Sequence, residues 1–162
     1  NTIAYGDSLA RYGANMLPVD YSPTRPSSPI FNYPYERSRQ ALEQLKKNGA
    51  PHPCHGIKMR FVNPASGGYT MPTIGAFMQL LPAGFSGAAY RQTDATIYVV
   101  VDGQGRTRIG DQVFEWRPRD IFVTPSWAPV AHESQSEAVL FSLSDRPAQQ
   151  ALGLWREQVP MK

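Results

Sequence analysis

From residue 73 onward, apolar runs too short for helices alternate with turn-forming residues at nearly even intervals, and this punctuation narrows the possible folds sharply. The runs cover residues 74–81, 96–101, 112–116, 121–124 and 139–143. Between them stand Pro82-Ala83-Gly84, Asp102-Gly103-Gln104-Gly105, Gly110-Asp111 and Arg117-Pro118-Arg119-Asp120, residue types that reverse a chain rather than extend it. A turn about every ten residues predicts an all-β, jelly-roll barrel. After Ser144, a terminal helix is expected: Asp145 suits the cap, Pro147 the first turn, and Ala151, Leu152, Leu154 and Trp155 recur at helical spacing.

Strand parity carries the pattern further. If Tyr90, Gln92 and Thr96 face the barrel interior, Tyr98 and Val100 do so too, and Ile97, Val99 and Val101 occupy the other face. Both faces of that strand are then apolar. A strand of this kind is covered on both sides, so a second layer is expected, supplied by the upstream arm or by another barrel across a large interface.

Upstream, residues 1–70 have a different character. They hold Pro18, Pro23, Pro26, Pro29, Pro34, Pro51 and Pro53, together with Tyr5, Tyr12, Tyr21, Tyr33 and Tyr35. Proline stiffens an extended segment and tyrosine buries its ring while keeping its hydroxyl wet, so this reads as an arm laid on a surface. Within it, residues 36–47 predict a short amphipathic helix with Ala41, Leu42 and Leu45 as the apolar stripe and Lys46 and Lys47 at its negative end. The domain reading is an arm over 1–70 and a barrel with a terminal helix over 71–162.

Several function classes recede on composition. The net charge of +3 is modest, and Arg106, Arg108, Arg117 and Arg119 are interleaved with Asp111, Glu115 and Asp120, which reads as a solvated strand edge rather than a nucleic-acid track. Nowhere do 18 consecutive apolar residues occur, and residues 3–5 are too sparse for the core of a signal peptide, so a soluble, cytoplasmic chain with no membrane contact is expected. One cysteine excludes an internal disulfide framework. His52, Cys54 and His55 invite a metal reading, but two prolines stiffen that segment and the only other histidine is His132, so a polar linker is the expectation.

The interior-facing positions also match the glycine frame of a metal-binding barrel, the cupin signature G-x5-H-x-H-x3-E-x6-G, at Gly84, Tyr90, Gln92, Thr96 and Gly103. Every ligand position is substituted. A phenol, an amide and a hydroxyl are poor replacements for two imidazoles and a carboxylate around a divalent transition metal. The second half of the signature, P-x-G-x-x-H, falls on Pro125, Trp127 and Val130, and Val130 ligates nothing. His132 lies two residues on, with the parity to face inward alone. No metal or other cofactor is therefore expected in this chain. The alternative use of such an interior is non-catalytic: Tyr90, Gln92, Thr96, Tyr98, Trp127 and His132 would line a vestigial pocket for a small aromatic or sugar ligand.

Five runs then carry a family resemblance: residues 71–84 (MPTIGAFMQLLPAG), 94–98, 110–114 (GDQVF), 125–129 (PSWAP) and 144–147 with 151–156 (SDRP, ALGLWR). Upstream, Tyr12-Gly13, Leu17-Pro18, Ser28-Pro29 and residues 63–68 (NPASGG) extend it over nearly the whole chain. Together they resemble the C-terminal cupin of gentisate 1,2-dioxygenases and of the related salicylate and 1-hydroxy-2-naphthoate enzymes. The resemblance implies an enzyme of aromatic catabolism with two cupins, whose Fe(II) is held by three histidines of the N-terminal cupin, the expected partner of this chain within one polypeptide. It implies a ring opened between the carbons bearing the carboxylate and the neighbouring hydroxyl, a maleylpyruvate-type product, and a tetramer. No catalytic residue carries over, and Val130 replaces a histidine that relatives often hold.

Overall fold

Thirteen elements build the computed structural model, which describes residues 4–14 and 17–160. The expectations that reach residues 1–3, 15, 16, 161 and 162 lie partly outside the described residues. The helices are α1 (Asp7–Tyr12), α2 (Tyr35–Asn48) and α3 (Arg146–Ala151). The strands are β1 (Ile57–Arg60), β2 (Gly75–Leu81), β3 (Arg91–Gln92), β4 (Thr96–Asp102), β5 (Gly105–Ile109), β6 (Gln112–Trp116), β7 (Ile121–Thr124), β8 (Val130–Ser134), β9 (Ala138–Ser144) and β10 (Glu157–Gln158).

The five apolar runs became β2, β4, β6, β7 and β9, and every strand pair is antiparallel. They form the two sheets of a cupin jelly roll: a five-stranded sheet in the order β1-β2-β9-β4-β7 and a three-stranded sheet in the order β6-β5-β8. Gly110 and Asp111 close the β5–β6 hairpin with a two-residue loop whose first position takes φ 58°, a value glycine adopts without steric penalty. Gly103 is needed for a second reason. A Cβ there would lie 2.4 Å from the Glu137 carbonyl oxygen, so the β4–β5 turn packs against the chain entering β9 only because the side chain is missing.

Two clusters hold the sheets. Leu81, Tyr98, Val100, Trp116, Ala138 and Leu140 fill one end of the space between them. On the opposite face of the five-stranded sheet, α2 lays Leu42 on Ile57, Met78, Leu80 and Val139. Full burial of one such leucine contributes about 2 kcal/mol. Leu45, expected on the same stripe, is instead exposed, because the α2 contact is one residue wide here. Arg39 and Lys46 fasten the helix by pairing with Glu137 at the start of β9.

Three boundaries differ from expectation. The sheet takes its edge strand β1 from residues 57–60, inside the stretch read as an arm, where Lys58 and Met59 pair with Gln79 and Met78 of β2. The charged run around Arg106 is not a sheet edge: β5 is the central strand of its sheet, and Arg106 is neutralised by Glu133 of β8 at 2.8 Å. The terminal helix stops at Ala151, because Gly153 turns with φ 69° and Trp155 leaves the helical line to donate its indole N–H to Asp94 at 2.7 Å. Asp145 sits at the cap but spends its carboxylate on the Ala95 amide and the Gln149 side chain rather than on the helix.

Candidate functional site

Alternation along β4 turns Thr96, Tyr98 and Val100 inward, as parity predicted. Opposite Tyr98 on the flanking strands stand Phe122 of β7 and Ser142 of β9. Tyr98 stacks on Phe122 with ring centroids 5.0 Å apart and meets His132 of β8 edge-on at 5.1 Å. Tyr90, held by reciprocal backbone bonds with Val130 of 3.0 and 2.8 Å, places its hydroxyl 3.3 Å from that of Tyr98. Tyr90, Tyr98 and His132 therefore converge between the two sheets.

His132 is fully buried, and its protonation is set by its neighbours. Trp116 Nε1 donates to Thr107 Oγ1 at 2.9 Å, and Thr107 Oγ1 lies 2.9 Å from His132 Nδ1. An indole nitrogen only donates, so the threonine oxygen accepts there; the Thr107–His132 bond forms with either neutral tautomer, the hydroxyl donating to Nδ1 or accepting its proton on a second lone pair. His132 Nε2 has no hydrogen-bond partner. Burial, reinforced by the charges of Lys58 and His55, lowers the His132 pKa from 6.5 to about 3, so the ring is neutral at physiological pH. Burial also pushes the Tyr90 phenol well above its ordinary value, with the Tyr98 hydroxyl adding to the effect.

Sequence reasoning missed three residues on this interior. Lys58 of β1 reaches inward to 3.5 Å from the Tyr98 hydroxyl, with its ammonium over the Phe77 and Tyr98 rings at 5.1 and 5.4 Å. Its cross-strand neighbour Gln79 is fully buried with neither end of its amide hydrogen-bonded, and Ser142 Oγ is in the same state. A signal existed. Gln79 is a lone polar residue on the inward phase of an otherwise apolar strand, and Ser142 interrupts the inward apolar positions of β9, which a core alone does not require.

The other expected site residues lie elsewhere. Thr96 is buried but bonds to Asp94, away from the tyrosine pair. Gln92 sits on β3 at the surface, where its amide donates to Glu157 of β10. Trp127 is 41% exposed, with φ 61° and its amide donated to the Gln92 carbonyl at 2.7 Å. Strand parity failed for Gln92 because Thr93 to Ala95 leave the ladder between β3 and β4, so the count of two is broken.

The donor set does not fit a transition metal. At the signature positions the structure offers a neutral phenol, an amide turned outward, a hydroxyl bonded to Asp94 and an isopropyl group. Among the described residues no group of three His, Cys, Asp or Glu side chains is arranged to hold a metal ion. The second candidate cluster is closed in another way. His52 Nδ1 accepts the Cys54 amide at 3.2 Å, His52 and His55 stack with centroids 3.9 Å apart, and burial raises the Cys54 thiol pKa.

No family model matches the chain. It is 64% identical over 152 residues to gentisate 1,2-dioxygenase 1 of Aquipseudomonas alcaligenes, which covers 94% of this chain and 44% of that protein. It is 38% identical to the 5-aminosalicylate 1,2-dioxygenase of Comamonas sp., over 87% of this chain and 38% of the relative. A crystal structure of salicylate 1,2-dioxygenase from Pseudoaminobacter salicylatoxidans with gentisate superposes with a TM-score of 0.87 at 28% identity, covering 96% of this chain and 44% of that one. The chain thus spans less than half the length of the curated relatives it matches. Among the described residues no helix is long and apolar enough to cross a membrane. Agreement in sequence along nearly the whole chain, and in fold with a second member of the group, places the chain in the gentisate 1,2-dioxygenase family as its C-terminal cupin half.

Proposed function

We propose that this chain is the metal-free half of a cytoplasmic, iron-dependent dioxygenase that opens the ring of gentisate or a closely related hydroxylated aromatic acid to a maleylpyruvate-type product, and that its task is assembly and support of the active site in the other half. One observation carries the division of labour: the barrel interior that would bind iron presents Tyr90, Thr96 and Val130, none of them a ligand in its observed state, while relatives of twice the length are named dioxygenases. The iron and its histidines then belong to the N-terminal cupin, and no catalytic step is assigned to a residue here.

The surface supports the same reading. Ile97, Ile121 and Val123 are 45%, 66% and 52% exposed and adjoin one another on the outer face of β4 and β7. Exposed hydrocarbon of this extent is characteristic of a face that another module covers. The module proposed is the N-terminal cupin or a second protomer in a homo-oligomer, a tetramer by family resemblance. The test is direct. Purified alone, the chain should bind no stoichiometric iron and consume no oxygen with gentisate, whereas a polypeptide of about twice the length should do both; iron and turnover in the isolated chain would refute the division.

A further inference from the structure

The barrel interior holds polar groups that its own packing does not use. Gln79 and Ser142 are fully buried with unpartnered amide and hydroxyl groups, and His132 Nε2, equally buried, has no partner. Leaving such groups unpaired is unfavourable, so an evolved core either replaces them with hydrocarbon or supplies a partner. The register puts them together. Lys58 lies directly across from Gln79, Tyr98 directly across from Ser142, and Tyr98 shares its hydroxyl with both Lys58 and Tyr90.

One group in this inventory is charged. Lys58 makes no ion pair among the described residues, and around it the hydroxyls of Tyr90, Tyr98 and Ser142 and the Gln79 amide can each donate as well as accept. Lys58 stands on the edge strand β1 and is partly exposed, so the cation marks the entrance while the neutral donors line the interior. Water would satisfy the neutral groups, but the unpaired cation beside them calls for an acceptor that carries negative charge.

We infer that the interior between β1, β2, β4, β8 and β9 is a binding site for a small monocarboxylate, its oxygens held by Lys58, the Tyr98 hydroxyl, Ser142, Gln79 and His132 Nε2, and its apolar end against the Tyr98 and Phe122 rings. A carboxylate fits better than an inorganic oxyanion because one side of the space is aromatic and aliphatic. The site stands whether or not the dioxygenase reading holds, since nothing in it requires iron.

The experiment uses the intact 162-residue chain labelled with 15N, with acetate, its neutral isostere acetamide and inorganic phosphate as probes. Acetate should move the His132 Nε2 resonance saturably and raise the thermal midpoint; a tenfold excess over Kd multiplies the folding equilibrium constant by about elevenfold. Acetamide should do neither, and phosphate should be weaker than acetate. Lys58→Met, which keeps the stem over Phe77, should abolish the acetate response while leaving the amide spectrum of the remainder intact. A His132 resonance unmoved by acetate, or moved equally by acetamide, overturns the proposal, and because both of those arms use the unaltered chain, they decide it even if the variant folds poorly. A response that survives in folded Lys58→Met also overturns it.

Discussion

The two faces of the five-stranded sheet invert the usual pattern. Inward from β1, β2, β4 and β9 point Lys58, Gln79, Tyr98 and Ser142, while outward from β4 and β7 point Ile97, Ile121 and Val123. A single-domain sheet places hydrocarbon on its covered face and polar groups on its wet one. The inversion teaches that this sheet was not patterned for one core. Its inside groups a lysine with unpartnered polar side chains, and its outside leaves the hydrocarbon of β4 and β7 in solvent while Leu42 of α2 and Phe61 cover the β1-β2-β9 side.

The largest effect should come from the part of the inner face that is ordinary core. Leu140 is fully buried against Leu81, Val100 and Trp116, and Leu140→Ala should lower unfolding free energy by about 3 kcal/mol in urea titration. A loss below about 1 kcal/mol would mean that this end of the barrel is loosely packed and that the contrast with its polar end is false.

Acid should expose the polar end next. Unfolded, His132 takes up a proton near its ordinary pKa of 6.5, and folded only near about 3, so between those values the unfolded chain holds more protons. Stability is therefore complete above pH 6.5 and falls as pH is lowered, by about 1.4 kcal/mol per pH unit for this one group within that window. His55, lowered to about 3 by burial and then by His52, adds in the same direction. For Glu137, burial raises the pKa but Lys46 and Arg39 outweigh it, so its own contribution is lost only at lower pH. Denaturant midpoints between pH 6.5 and 5 thus isolate the histidines, and His132→Gln should flatten the slope there; an unchanged slope would show that His132 is hydrated rather than sealed.

A smaller effect separates satisfied from orphaned polar groups on the same face. Thr107→Val leaves both Trp116 Nε1 and His132 Nδ1 without their shared oxygen, and a loss of about 2 kcal/mol is expected. Gln79→Met removes an amide that has no protein partner and should change stability by less than about 1 kcal/mol without ligand. Equal losses for the two would remove the distinction.

How much of this was legible follows from how local each signal is. The hairpin turns and the apolar runs of β2, β4 and β9 are written in neighbouring residues, and so is α2. By contrast, β5 reads as a charged edge because Arg106 finds Glu133 only after 27 residues of chain have folded back. Gln92 and Trp127 look like pocket residues until β10 arrives to pair with β3 and draws Gln92 to the surface. Lys58 is invisible as an interior cation, since its segment reads as linker and its partners Tyr98 and Gln79 lie 40 and 21 residues away. Parity, a local rule, did place Tyr98 and His132 correctly.

The outer face gives the smallest effect on the isolated chain and for that reason the sharpest test of the comparison. Ile97, Ile121 and Val123 already meet solvent, so replacing all three by threonine removes little buried area and retains β-branched side chains suited to a strand. The unfolding free energy should change by no more than about 0.5 kcal/mol per site. In a polypeptide that also carries the N-terminal cupin, the same triple substitution should lower the oligomer size measured by light scattering, or separate the two halves in limited proteolysis, while Thr107→Val leaves assembly intact. If the triple variant assembles as the parent does, the hydrocarbon on β4 and β7 has no neighbour to meet, and the inversion of the two faces loses its explanation.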